Sequence, residues 1–318
     1  MSESQSAREA ALESLAGLVV SKGHGTGNDF VIVPDLHDRL VLGIEQVRAL
    51  CDRHRGIGAD GVLRVAPTES EPEVADQTSA AAWFMDYRNA DGSIAEMCGN
   101  GARVFAQYLV RAGLERGTEF AIATRGGVRN VVIHEEGDIS VEMGIATTPR
   151  ARAMPVVSVD SQSWTGVGVL VPNPHCVVFL DDESSAQRSD SHGDIGLSSS
   201  VLSHLDLSNA PDVGPAAVFP DGVNVEFVRR IGSIDSRHLL MRVHERGVGE
   251  TLACGTGACA VMWAAAVRDE APEVVEYTVE MPGGTVTVRR DAEGHLHLRG
   301  PAVIVGSITL GAQVVPLV

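Results

Sequence analysis

Two segments of the chain share one layout. "EMCGNGARVFAQYLV", from Glu96 to Val110, and "LACGTGACAVMWAAAV", from Leu252 to Val267, each place a cysteine before Gly-x-Gly and then continue with an apolar run. Cys98 and Cys254 are 156 positions apart, and other features recur in the same order near that offset. Asn28 in "GND" and Asn173 in "PNPH" precede the apolar runs "FVIV" and "CVVFL", and Asp60 in "DGVL" is echoed by Asp221 in "DGVNVEF". Asn89 stands nine residues before Cys98, and Glu245 nine before Cys254. Gly126 and Gly127 match Gly283 and Gly284, and Gly137 matches Gly294. One glycine match means nothing, but an ordered series at a common offset reads as an internal duplication. A chain of this kind must fold into one architecture built twice.

The expected architecture is therefore α/β in the α+β sense: two pseudo-symmetric domains, each a curved, mostly antiparallel sheet around a central helix. Residues 1–20 read as an N-terminal extension, a short helix or a frayed one; residues 21–150 form the half with Cys98, and residues 151–318 the half with Cys254. "EFAIATRGGVRNVVIHEEGDISVEMG" and "VVEYTVEMPGGTVTVRRDAEGHLHLRG" alternate apolar and polar residues between glycine turns, the period of hairpins with one buried face. Ala258 to Val267 is apolar all round, so that helix belongs inside a domain. Pro67 to Ala80 and Asp181 to Pro215 read as surface loops, the second with a short helix around Leu197 to Leu205.

At 318 residues the chain can bury two cores. Its net charge of −17 argues against a nucleic-acid partner. No apolar run reaches the ~18 residues a membrane helix needs, and the N-terminus lacks the basic start of a secretory signal. Five cysteines, few and odd in number, suit thiols kept reduced in the cytoplasm rather than a disulfide framework. Lys22 is the only lysine, so any Schiff-base chemistry would have to use it.

The start of a helix presents unpaired N–H groups and partial positive charge, which attract anions and lower the pKa of a nearby thiol. Gly99, Gly101, Gly255 and Gly257 leave room for a ligand to approach the backbone. Two such halves set face to face would place two thiols about one substrate carboxylate, an arrangement for removing a proton from one side of a carbon and returning one to the other. Converging N–H donors would stabilise the enediolate that forms between those steps. A cysteine before a helix is otherwise a small packing residue, and the symmetric recurrence weighs against that reading here. Asn28, Asn89, Asn173 and Asn224 read either as turn and cap residues or as partners for ammonium and carboxylate groups. Glu245 and Arg246 read either as a solvated pair or as a grip on the two ends of an amino acid. Zinc is disfavoured because no Cys-x-x-Cys pair exists and His175 and His244 stand apart from both cysteine motifs. "GHGTGND" lacks the Lys-Ser/Thr of a phosphate loop and does not fit Gly-x-Gly-x-x-Gly.

The motifs "KGHGTGNDFVIV", "CDRHRGIGADG", "RNADGSIAEMCGNGARVFA", "PNPHCVVF", "DGVNVEFV" and "HERGVGETLACGTGACA" resemble those of the diaminopimelate epimerases, in family order from Lys22 to about Ala260. The resemblance implies interconversion of L,L- and meso-2,6-diaminopimelate without cofactor or metal. It implies Cys98 as proton donor and Cys254 as acceptor, labels that exchange with direction, and supporting roles for His175 and Glu245. Substrate contacts would come from Asn28, Asn89, Gly99, Asn100, Asn173, Asn224, Glu245, Arg246, Gly255 and Thr256. The resemblance also brings a homodimer as the family's common assembly. Gly61 departs from members that carry a polar side chain there. A proline-racemase-like enzyme is the nearest alternative, and a binding protein switched by oxidation of the two thiols a more remote one.

Overall fold

The computed structural model describes residues 3–151, 153–180 and 201–311. Two compact units divide the chain: residues 1–141 with 301–318, and residues 142–300.

In the first unit α1 (Glu3–Glu13) leads into β1 (Val19–Gly25) and β2 (Asn28–Pro34), α2 (Ile44–Cys51), β3 (Gly61–Pro67), β4 (Trp83–Asn89) and α3 (Gly99–Arg111). Then come β5 (Glu119–Ile122), β6 (Arg129–Ile133) and β7 (Ile139–Ile145), across which the boundary falls. Strands β1 to β4 pair antiparallel, parallel, antiparallel. The parallel step follows from the helix α2 carried in the connection, since parallel neighbours need a crossover. Strands β5, β6 and β7 form antiparallel hairpins.

The second unit repeats this plan. It contains β8 (Val156–Val159), β9 (Gln162–Thr165), β10 (Val167–Leu170), β11 (Pro174–Phe179), α4 (Val201–His204), β12 (Asp212–Gly214), β13 (Asn224–Ile231), β14 (His238–Glu245) and β15 (Gly249–Thr251). There follow α5 (Gly255–Arg268), β16 (Val275–Met281), β17 (Gly284–Arg290) and β18 (His295–Gly300). Strands β10, β11, β13 and β14 again pair antiparallel, parallel, antiparallel, and β16 to β18 form antiparallel hairpins. Strands β8, β9 and β12 make a separate small sheet. The chain ends its described part with β19 (Val303–Thr309), which pairs with β1 and so belongs to the first unit's sheet.

The duplication read from the sequence is thus present as topology, in a sheet-dominated α+β fold. Strand register refines it. Phe30 sits beside Gly61 on β2 and β3, and His175 beside Asn224 on β11 and β13. Gly61 is therefore the counterpart of Asn224, and the match of Asp60 with Asp221 is two residues out of register. A shift of two keeps every side chain on its face of the sheet, which is why the string match looked sound.

Each long helix is the core of its unit. Helix α3 buries Ala102, Val104, Phe105, Ala106 and Leu109. Helix α5 is buried nearly all round, and its run of alanines lets the strands β10, β11, β13, β16, β17 and β18 approach it closely. The extension is tied down: Ala11 and Leu15 are buried, and Arg8 meets Asp52 at 3.2 Å. The expected loop after Pro67 instead forms two 3-10 turns that bury Thr68, Val74 and Gln77, because the Gln77 side chain pairs with both backbone groups of Thr124. In the second expected loop, residues 181–200 lie outside the described residues, and of the helix expected around Leu197 to Leu205 the described part is the turn Val201–His204.

Ala265 on α5 is fully buried with strands packed around its helix. Ala265→Leu should cost about 1–3 kcal/mol by overpacking, measured as a shift of the urea midpoint at unchanged slope.

Candidate active site

In both units the residue that caps the long helix is a cysteine in extended conformation, Cys98 before α3 and Cys254 before α5. Each sulfur accepts the N–H of the third helical residue, Gly101 or Gly257, at 3.4 Å. This is the role a serine or aspartate commonly fills, so the backbone fixes where each thiol points.

Around Cys98 the first unit gathers Asn28 and Asn100. The Cys98 thiol donates to Asn28 Oδ1 at 3.7 Å, and Asn100 Nδ2 donates to the same oxygen at 3.4 Å. Asn28 Nδ2 donates to Asp60 at 2.8 Å, and Asp60 is held in turn by Arg53. Asn100 Oδ1 accepts from the wholly buried Arg103 at 3.0 Å. Asn89 is held by the Tyr87 hydroxyl and by Ser93, at 2.8 and 3.0 Å. Gly61 leaves no room for a side chain, since a Cβ there would meet Arg88 O at 2.6 Å.

The second unit surrounds Cys254 with charge. His175 lies between Glu226 Oε1, 2.6 Å from Nδ1, and Asn173 Oδ1, 3.0 Å from Nε2. Glu245 accepts from the Thr251 hydroxyl at 2.5 Å and is hydrogen-bonded to Cys254. Cys254 also meets Thr256 Oγ1 at 3.4 Å. Asn224 Oδ1 accepts the Arg246 N–H at 2.8 Å, while the exposed Arg246 guanidinium rests on Asp221 O at 2.7 Å. Gly99 and Gly255 are the first residues of their helices.

Sequence reasoning expected the helix start to lower the thiol pKa. Cys254 goes the other way, well above the ordinary thiol value, because burial and then the charges of Glu245 and Glu226 outweigh the hydrogen bonds from Thr256 and Gly257. Burial, followed by the Glu226 charge, likewise raises Glu245, against the lowering influences of Thr251, His175 and Cys254. Glu226, wholly buried, is the residue that reading the sequence missed. Its only signal was position: on β13 it falls two residues after Asn224 and so on the same face. Among the described residues no group of three or more His, Cys, Asp or Glu side chains could hold a metal ion.

The fold is that of a class that includes a PhzF-family phenazine biosynthesis protein of Bacillus anthracis and a hydroxyproline epimerase of Agrobacterium vitis. Their solved structures align with TM-scores of 0.58 and 0.59, at 17% and 12% identity. Both alignments cover 92% of this chain, with 98% of the first and 91% of the second. Within that class the sequence is specific. The chain belongs to the diaminopimelate epimerase family, whose sequence model matches residues 20–149 and 168–305. Diaminopimelate epimerases of Streptomyces coelicolor and Rhodococcus jostii are each 47% identical to it, over 89% and 91% of this chain and 92% and 96% of theirs. That of Mycolicibacterium smegmatis is 44% identical over 91% of this chain and 95% of its own.

Cys98 is partly exposed, whereas Cys51, Cys176 and Cys254 are buried, and burial pushes Cys51 and Cys176 up to about 12. Iodoacetamide at neutral pH should therefore alkylate Cys98 before these three, read by peptide mass spectrometry over time. A second expectation concerns pH. Glu245 titrates above its ordinary 4.5 in the folded chain, so the stability it allows is full below that value and falls as pH rises through the folded pKa. The melting-temperature difference between Glu245→Gln and the wild type should then grow in favour of the variant between about pH 4 and about pH 7.5.

Proposed function

We propose that the chain interconverts L,L- and meso-2,6-diaminopimelate by proton transfer at one α-carbon, without pyridoxal phosphate or metal, using Cys98 and Cys254 as the two acid–base groups. Family membership over nearly the whole chain supports the reaction, and the capping geometry shared by the two cysteines is the observation that carries the assignment of roles. One sulfur, as thiolate, takes the α-proton; the other, as thiol, gives one to the opposite face. The α-hydrogen of an amino acid is weakly acidic, so the enediolate must be stabilised, and backbone N–H groups at helix starts supply donors without reorganisation.

Glu245 and Arg246 would meet the ammonium and carboxylate of the substrate, with Asn28, Asn89, Asn173 and Asn224 and the residues after each cysteine completing recognition. An ammonium arriving beside Glu245 offsets the carboxylate charge that holds Cys254 as a thiol, so substrate binding itself would prepare that sulfur to exchange a proton. The direction-dependent labels follow: Cys98 donates where Cys254 accepts, and the reverse reaction exchanges them. Cytoplasmic residence and a homodimer are part of this proposal.

A proline-racemase-like activity shares the two-thiol logic, and the sequence relatives favour the diaminopimelate reading. Chiral chromatography of L,L-diaminopimelate incubated with pure, reduced protein should show the meso isomer forming without added cofactor, and proline should be left unchanged. Cys98→Ala and Cys254→Ala should each lower kcat by at least ~10³-fold with the fold retained, as expected for loss of an acid–base group acting in concert with a second. Normal turnover by either variant would refute the two-thiol assignment.

A further inference from the structure

The buried pair His175–Glu226 has no equivalent in the first unit, although the surrounding architecture is the same. By strand register the counterparts of His175 and Glu226 are Phe30 and Leu63. Leu63 and Phe30 lie beneath the third residue of α3, where a Cβ on Gly101 would meet them at 3.2 Å and 3.5 Å, and Glu226 lies beneath that of α5, where a Cβ on Gly257 would meet its Oε1 at 2.8 Å. The fold can therefore be completed at this point by two apolar side chains.

A buried carboxylate–imidazole pair in that place is costly. Glu226 and His175 are both 0% exposed, and Glu226 Oε2 has no hydrogen-bond partner among the described residues. Taking such a pair out of water commonly costs more than the pair returns, and well-packed apolar residues do as well or better for stability. The start of α5 offsets some of the carboxylate charge, but Phe30 and Leu63 need no such compensation. Among the described residues, Glu226 hydrogen-bonds one group, His175 Nδ1.

We propose that Glu226 is a positioning residue: it fixes the ring and tautomer of His175, and through Nε2 the amide of Asn173, for the proton transfer. An ionised carboxylate can only accept, so the 2.6 Å contact requires the hydrogen on Nδ1. Nε2, left without a hydrogen, faces the Asn173 side-chain amide 3.0 Å away and can only accept, so it selects the orientation of that amide that presents Nδ2. Carboxylates that hold a functional histidine by its second nitrogen act in this way in other sites. The catalytic consequence rests on the epimerase reading above; the tautomer does not.

Three measurements test the proposal. In the full chain labelled with ¹⁵N-histidine, with His175 assigned by comparison with His175→Asn, the Nδ1 resonance at neutral pH should be that of a protonated nitrogen. An unprotonated Nδ1 overturns the proposal whatever the activity. Glu226→Leu, which installs the first unit's solution, should keep or raise the melting temperature and lower kcat about 10–100-fold with KM within about threefold. On the His175→Asn background the same substitution should change kcat by less than about threefold, because Glu226 acts through His175. An equal loss on both backgrounds, or no loss on either, overturns the proposal. If Glu226→Leu does not fold, Glu226→Gln, which keeps the volume, is read in the same cycle. Failure of the wild type to epimerise diaminopimelate would sink the functional reading while leaving the Nδ1 result to decide the positioning.

Discussion

A cysteine sulfur accepting the N–H of the residue three places on, at 3.4 Å in both units, is the contact on which the rest of the account depends. It fixes each thiol to the end of a rigid helix rather than to a loop. For that cap to form, the third helical residue must lie against the strands beneath it, and Gly101 and Gly257 lie so close to Leu63 and Glu226 that neither can carry a side chain without displacing them. The strands in turn must wrap the helix, which the alanine-rich surface of α5 permits. Thiol position, glycine spacing and sheet curvature are one constraint seen at three scales.

Duplication supplies two such posts but not two identical sites. Around Cys98 the partners are neutral amides, Asn28 and Asn100, backed by the buried Arg103 and by Asp60. Around Cys254 they are carboxylates, Glu245 and Glu226, with His175 between the second of these and Asn173. The helix start favours a thiolate at either position, yet at Cys254 burial and two negative charges prevail. The two sulfurs therefore stand in unequal surroundings before any substrate binds.

The sequence made the architecture legible because duplication leaves its mark in residues that cannot vary freely: a cysteine, glycines pressed against strands, and glycines at turns. Gly127 and Gly284, matched by offset alone, both take left-handed backbone conformations, with φ of +96° and +136°. What stayed hidden depends on partners distant along the chain. Glu226 in "VNVEFV" looks like the outward member of an alternating strand until His175, on the parallel neighbour, shows which face is inside. The raised thiol of Cys254 is a sum over burial and groups on β13, β14 and α5, which no local window contains. Strand β19 closes the first unit's sheet through pairing with β1, near the other end of the chain, so neither period nor turn signals could assign it. The register error at Asp60 and Asp221 has the same origin: a shared string fixes composition, and only cross-strand pairing fixes position.

The central claim is that two different sulfurs handle the proton leaving and the proton arriving. The direct test is the initial phase of the reaction in deuterium oxide, followed by mass spectrometry of separated substrate and product at a few per cent conversion. Two groups acting on opposite faces predict meso product carrying one deuterium at the inverted carbon while the recovered L,L substrate remains protiated. Product that retains the substrate's own hydrogen would mean one group removes and returns the same proton, and would contradict the account.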